Sequence, residues 1–198
     1  MSSNPDGEVN QTIADTSLNT ATAANDASTV HRIVIVGGGA GGLELATALG
    51  DKLVKSGRIS VVLVDRAHTH IWKPLLHEVA AGSMDANSHQ LEYAAQARWH
   101  RFVYQPGELL GLDRERKTIS VSGLNDVDGV ELLPRRDIPY DTLVLSIGSV
   151  TNFFNVPGAE KNAISLDNML QAEHFRRRMI GLCVRADQTQ SKLNIAII

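Results

Sequence analysis

One cysteine stands in the 198 residues, Cys183, which rules out an internal disulfide framework and a C-x-x-C redox pair. No apolar run approaches the ~20 residues needed to cross a bilayer, so no segment reads as a membrane span. Basic residues are not in excess either. Lys and Arg number 19 against 22 Asp and Glu, a formal net charge of −3, which leaves no basic footprint for nucleic acid. The first thirty residues, MSSNPDGEVNQTIADTSLNTATAANDASTV, contain no Lys or Arg and are rich in Ser, Thr, Asn, Asp and Ala. Such a segment cannot bury enough apolar surface to offset the entropy of ordering, so residues 1–30 are expected to be a disordered tail. The tail lacks the basic n-region and apolar h-region of a secretory signal, and its acids and missing Arg argue against a transit peptide. The expected location is the cytoplasm. The remaining composition, 43% hydrophobic and 21% charged, is that of a globular protein with enough chain for one domain, or one domain and part of another.

What is present is concentrated in RIVIVGGGAGGLELA, residues 32–46. Ile33 to Val36 are β-branched and apolar on both faces, as a central parallel strand requires. Gly37, Gly39 and Gly42 then satisfy G-x-G-x-x-G. The first permits a tight turn, the second lets backbone approach a pyrophosphate, and the third lets the following helix pack close to the strand. The anion sits at the helix N-terminus, where unpaired N–H groups and the macrodipole favour it. Gly42, Ala46, Leu49 and Leu53 share one face of that helix. A second β-rich run, Ile59 to Val64, ends in Asp65, placed where an acid holds a ribose hydroxyl about 20 residues after the loop. These residues predict a dinucleotide cradle, its ligand still open.

Further along, a helix is expected from Asn87 or Ser88 to about Trp99, then a short strand over Phe102 to Gln105. GELLGLD, KTISVS and a piece ending near Tyr140 predict a three-stranded antiparallel meander. Thr142 to Ile147 reads as another buried strand, halted by Gly148, where backbone can approach a ligand. TNFFNVPGAEKNA has the Asn, Pro and Gly of a linker. A helix from about Asn168, capped by Asp167, would place Phe175, Met179, Leu182 and Ala186 on one face and Arg176, Arg177 and Arg178 toward solvent. KLNIAII closes the chain as a buried-strand pattern. His68, His70 and His77 have no acid or cysteine at ligand spacing, and no metal site is assigned to them.

The order GGGAGGLELA, LVDRAHTHIWKPLLHEVAAG, YDTLVLSIGS and VPGAEKNAISLDN resembles the N-terminal part of bacterial type II NADH dehydrogenases, the single-subunit NADH:quinone oxidoreductases of the two-dinucleotide flavoprotein group. The resemblance runs from about His31 to Ile198, and HIWKPLLHEVAAG is its most particular segment. It implies an α/β fold: a Rossmann-like FAD-binding domain over residues 31–150, with a parallel sheet and an antiparallel β-meander, then a linker and the truncated start of a second Rossmann-like, NADH-binding domain over 151–198. It implies FAD at the first glycine loop, with Gly37, Gly39 and Gly42 on the pyrophosphate, Asp65 on the adenosine ribose and Lys73 and Pro74 beside the isoalloxazine ring. It also implies backbone around Val103 to Gly107 at the adenine and the turn at Gly148 closing over the cofactor. A cation such as Lys73 would stabilise an anionic reduced ring.

The implied activity is hydride transfer from NADH to the flavin and then reduction of a quinone, without proton pumping. The lone cysteine agrees with an external acceptor, because no cysteine pair is present to receive electrons. The chain stops before a second glycine loop, so an N-terminal fragment is expected, inactive by itself. By the resemblance the full-length protein would lie on the cytoplasmic face of the inner membrane, attached through a C-terminal region beyond these residues, with a homodimer left open. Two other readings stay in play: a different flavoprotein reductase of the group, such as a sulfide:quinone or ferredoxin reductase, and a non-catalytic NAD- or FAD-binding module.

Overall fold

The structure is a computed structural model and describes residues 30–197. The expected tail therefore lies outside the described residues, apart from Val30. In chain order the elements are β1 (His31–Val36), α1 (Ala40–Lys52), β2 (Ile59–Asp65), β3 (Thr69–His70), α2 (Leu76–Ala81), β4 (Leu91–Glu92), α3 (Tyr93–His100) and β5 (Val103–Pro106). There follow β6 (Leu109–Asp113), β7 (Thr118–Val121), β8 (Leu124–Asn125), β9 (Glu131–Leu133), β10 (Arg136–Pro139), β11 (Thr142–Leu145), α4 (Ala159–Asn162) and α5 (Met169–Gln188).

The central sheet has the order β11-β1-β2-β5, and every neighbouring pair is parallel. Side chains alternate across a strand, so β1 feeds two cores at once. Ile35 joins Leu43, Ala46, Val61, Leu63, Tyr93, Ala97 and Phe102 beneath α1 and α3. Val34 and Val36 face the other way, packing with Val64 of β2 and with Ile119 and Val121 of the meander. This two-sided burial explains why β1 is apolar from Ile33 to Val36. The meander is antiparallel with the order β10-β7-β6, and its three strands are those the sequence predicts. Arg136 on β10 ties it to the sheet, donating to the Gln105 side chain and to the Pro106 and Ser122 carbonyls at 3.1, 2.6 and 3.2 Å. A third core, Leu76, Val79, Ala80 and Ala172, joins α2 to α5.

Five expectations need correction. The helix expected from Asn87 or Ser88 begins only at Tyr93, because residues 86–89 form a 3-10 turn and Leu91–Glu92 pairs with β3 instead. The buried face of α1 is Gly42, Leu43, Ala46 and Gly50, and Leu53 falls beyond the helix, 39% exposed. The cap of α5 is Asn168, whose side chain accepts from the Gln171 N–H, and not Asp167. Residues 142–147 are an edge rather than a buried strand: β11 pairs with β1 alone, and Leu145 and Ile147 are exposed. Over its described residues, 192–197, the KLNIAII pattern has no ladder partner among the described residues and is irregular, since a buried strand needs a paired neighbour to satisfy its backbone groups. Along α5, Phe175, Met179, Leu182 and Ala186 are half-buried and Arg176 to Arg178 exposed, as the pattern predicts.

Candidate functional site

Parallel pairing brings Val36, Asp65, Pro106 and Leu145 to the same, C-terminal edge of the sheet, where open α/β sheets hold their ligands. The glycine loop stands on that edge between β1 and α1. Most of its glycines are required by protein neighbours. Gly37 has φ +102°, and a Cβ there would lie 2.4 Å from the Ser146 carbonyl oxygen. A Cβ on Gly42 would lie 1.8 Å from the Gly37 carbonyl, and one on Gly38 would lie 2.5 Å from the Tyr93 ring. Gly39 differs. Its φ is an ordinary −60°, and a Cβ there would meet no atom within 4 Å. Protein packing gives no reason for a glycine at this position, whereas a ligand lying against the backbone would. Gly39 is the N-cap of α1, no side chain caps that end, and no acid stands in the first turn. The arrangement suits an anion: free N–H groups at a helix start, approached over a residue without a side chain. The pyrophosphate of a dinucleotide fits this cradle.

Asp65 lies beside the loop at the end of β2. Its Oδ2 accepts from the Gly38 N–H at 2.6 Å and its Oδ1 from the Ala67 N–H at 2.7 Å. Two tyrosines that the sequence reading did not single out close the site from below. Tyr93, 2% exposed at the start of α3, donates its phenol hydrogen to the Gly38 carbonyl at 2.7 Å. Tyr104 on β5 donates to the Ala67 carbonyl at 2.6 Å, with its ring 5.3 Å from that of Tyr93. Burial, then the Asp65 charge and the neighbouring phenol, push the Tyr93 phenol far above its ordinary value. Burial and Asp65 push Tyr104 up to about 12. Both phenols are therefore hydrogen-bond donors at neutral pH.

Lys73 opens a 3-10 turn, Lys73–Leu75, in which Pro74 occupies an early position that needs no N–H. Its ammonium donates to the Ser149 carbonyl at 2.6 Å and lies 3.9 Å from Asp167 Oδ1. A Cβ on Gly148 would sit 4.0 Å from the same Nζ, so Lys73 and the Gly148 turn meet across 76 residues of sequence. Asp167 Oδ2 also accepts from the Thr151 N–H at 3.0 Å. Burial works to raise the Asp167 carboxyl, but the hydrogen bonds from Thr151 and Ser165 and the Lys73 charge outweigh it and leave the group lowered. Val103 stands apart. It pairs with Val62, three residues short of the Asp65 edge, or about 10 Å down the strand, and is half exposed. Pro106 and Gly107 are the β5 residues at that edge, with the Gly107 N–H donated to the Asp65 carbonyl. His68, His70 and His77 belong to no cluster of potential metal ligands, and none is found among the described residues.

Tyr93 could have been sought from Gly38, a glycine at a variable position of the motif that needed some reason to be there. Nothing in the local sequence marks Asp167 as the partner of Lys73.

Known proteins resemble the chain along nearly all of its described length. It is 43% identical over 162 residues to the type II NADH:quinone oxidoreductase of Haemophilus influenzae, covering 82% of this chain and 36% of that one. It is 28% identical to the type II NADH:quinone oxidoreductase NdhA of Mycobacterium tuberculosis, covering 76% and 30%. The chain thus spans about a third of the length of the curated relatives it matches. Among solved structures, NDH2 from Plasmodium falciparum in complex with NADH superposes with a TM-score of 0.64 at 21% identity, over 84% of this chain and 31% of that one. The sulfide:quinone oxidoreductase of Aquifex aeolicus gives 0.63 at 19%, over 78% and 32%. These two show a shared fold. Residues 31–197 match the family described as pyridine nucleotide-disulphide oxidoreductase, and the chain belongs to that family.

Proposed function

We propose that this chain carries the FAD-binding portion, residues 31–150, of an oxidoreductase that passes electrons from NADH to a quinone, and that 151–198 form a linker and the start of an NADH-binding domain. The observation that carries this reading is Gly39, the loop glycine whose lack of a side chain serves no protein neighbour and leaves room for a pyrophosphate. The 43% identity to a type II NADH:quinone oxidoreductase supports the choice of substrates. Bound flavin would supply the two-electron chemistry.

The chain's own residues bind and orient. Gly37, Gly39 and Gly42 shape the phosphate cradle, Asp65 stands ready for the ribose, and Lys73, beside the Gly148 turn, and its neighbour Pro74 would serve the ring end. With Nζ on the Ser149 carbonyl, Lys73 holds one positive charge at the turn that would cover the flavin. No helix among the described residues is long and apolar enough to cross a membrane. We place the protein in the bacterial cytoplasm, meeting its quinone at the inner face of the membrane.

Purified chain titrated with FAD provides the test. Quenching of flavin fluorescence, with a protein-bound visible flavin spectrum, is the expected result. Tight NADH binding without flavin uptake would sink the FAD assignment, and absence of NADH:quinone activity in a flavin-loaded full-length protein would sink the proposed substrates.

A further inference from the structure

The Gly38–Gly39 peptide is held from one side. A trans peptide is planar, with its C=O and the following N–H pointing in opposite directions. The Gly38 carbonyl points inward to the buried Tyr93 hydroxyl at 2.7 Å, so the Gly39 N–H points away from it, on a residue whose Cβ would meet no atom within 4 Å. The preceding N–H, that of Gly38, is already donated to Asp65 and is not available to a ligand. Gly38 itself must be glycine for the phenol to come this close, because a Cβ would lie 2.5 Å from the ring.

We propose that Tyr93 is the positioning residue of the nucleotide cradle: by donating its hydroxyl to the Gly38 carbonyl it aims the Gly39 N–H at the pyrophosphate of the bound dinucleotide. The proposal rests on the nucleotide reading above and adds a residue outside the glycine motif. Tyr93 never touches the ligand. It fixes which backbone amide does, and its raised phenol remains a donor at neutral pH.

The test uses the whole chain with ADP and FAD as probes. Tyr93→Phe keeps the ring and removes one donor, and affinity for both probes is expected to fall about tenfold, the scale of one mispositioned hydrogen bond to a charged group. Amide NMR separates aiming from mere support. When ADP saturates the unmodified chain, the Gly39 amide proton should move strongly downfield while that of Gly38, already held by Asp65, moves little. In saturated Tyr93→Phe the Gly39 shift should shrink. Unchanged affinity in the variant would overturn the proposal, as would a Gly39 amide that stays still while the Gly38 amide moves. Should the variant not fold, the amide shifts of the unmodified chain decide alone. If the unmodified chain takes up neither ADP nor FAD, the nucleotide reading fails first and the proposal with it, an outcome distinct from binding that ignores Tyr93.

Discussion

Strands β1 and β11 lie side by side in one parallel sheet, yet one is sealed and the other is open. Val34 and Ile35 of β1 are fully buried, with ladder partners on both sides and a core on each face. Leu145 of β11 is 55% exposed and Ile147, just beyond, 62%. Both segments are apolar runs, and what separates them is the number of neighbours. A central strand takes its burial from two partners and two layers, while an edge strand keeps a row of unpaired backbone groups and whatever apolar surface nothing covers. The glycine loop grows from the sealed strand, and the turn that meets Lys73 grows from the open one. The cradle is therefore built on the firmer part of the molecule.

The contrast can be broken most directly by truncation. Ile35→Ala should cost about 3 kcal/mol in urea unfolding, against under about 1 kcal/mol for Leu145→Ala. Equal losses would mean that β11 is covered in solution. The cradle offers the next largest effect. Gly42→Ala places a Cβ 1.8 Å from a carbonyl oxygen and should destabilise the chain by roughly 2–4 kcal/mol. Gly39→Ala meets nothing and should cost at most about 1 kcal/mol. Flavin titration should nevertheless show at least a tenfold loss of FAD affinity for Gly39→Ala, and retained affinity would refute the role given to that residue. On the open side, Asn168→Ala removes the side-chain cap of α5 and should cost about 1 kcal/mol.

The smallest effect concerns pH. The folded state lowers the Asp167 carboxyl, so its stabilisation is present above the unfolded pKa and is lost as pH falls through the folded one. The stability gap between the parent and Asp167→Asn should then be widest near neutrality and close in acid. A gap that widens on acidification would show the sign to be wrong.

The strand-loop-helix-strand unit was legible because its signals are local. Strand, loop, helix and second strand follow one another, and the spacing from Gly37 to Asp65 states the geometry. The rest depends on contacts that sequence order hides. Tyr93 reaches Gly38 across 55 positions and Lys73 reaches Ser149 across 76. The error at residues 142–147 has the same origin, since periodicity reports apolarity and leaves the number of strands alongside unstated. At α5 the cap expected at Asp167 falls one residue on, at Asn168, because it is the Asn168 side chain that accepts from the Gln171 N–H. Asp167 was instead committed to Thr151 and Lys73.

Gly50 lies on α1 far from the loop, and a Cβ there would stand 1.8 Å from the His100 carbonyl oxygen at the end of α3. Next to it, His100 meets Asp51 at 2.7 Å, while at the other end Tyr93 is bonded to Gly38. Helices α1 and α3 are thus two struts pinned at both ends, with the glycine loop on the crosspiece. A methyl group at Gly50 would pry the struts apart at the distal pin and tilt the phenol at the proximal one. The glycine loop would then be altered from a position well away from it.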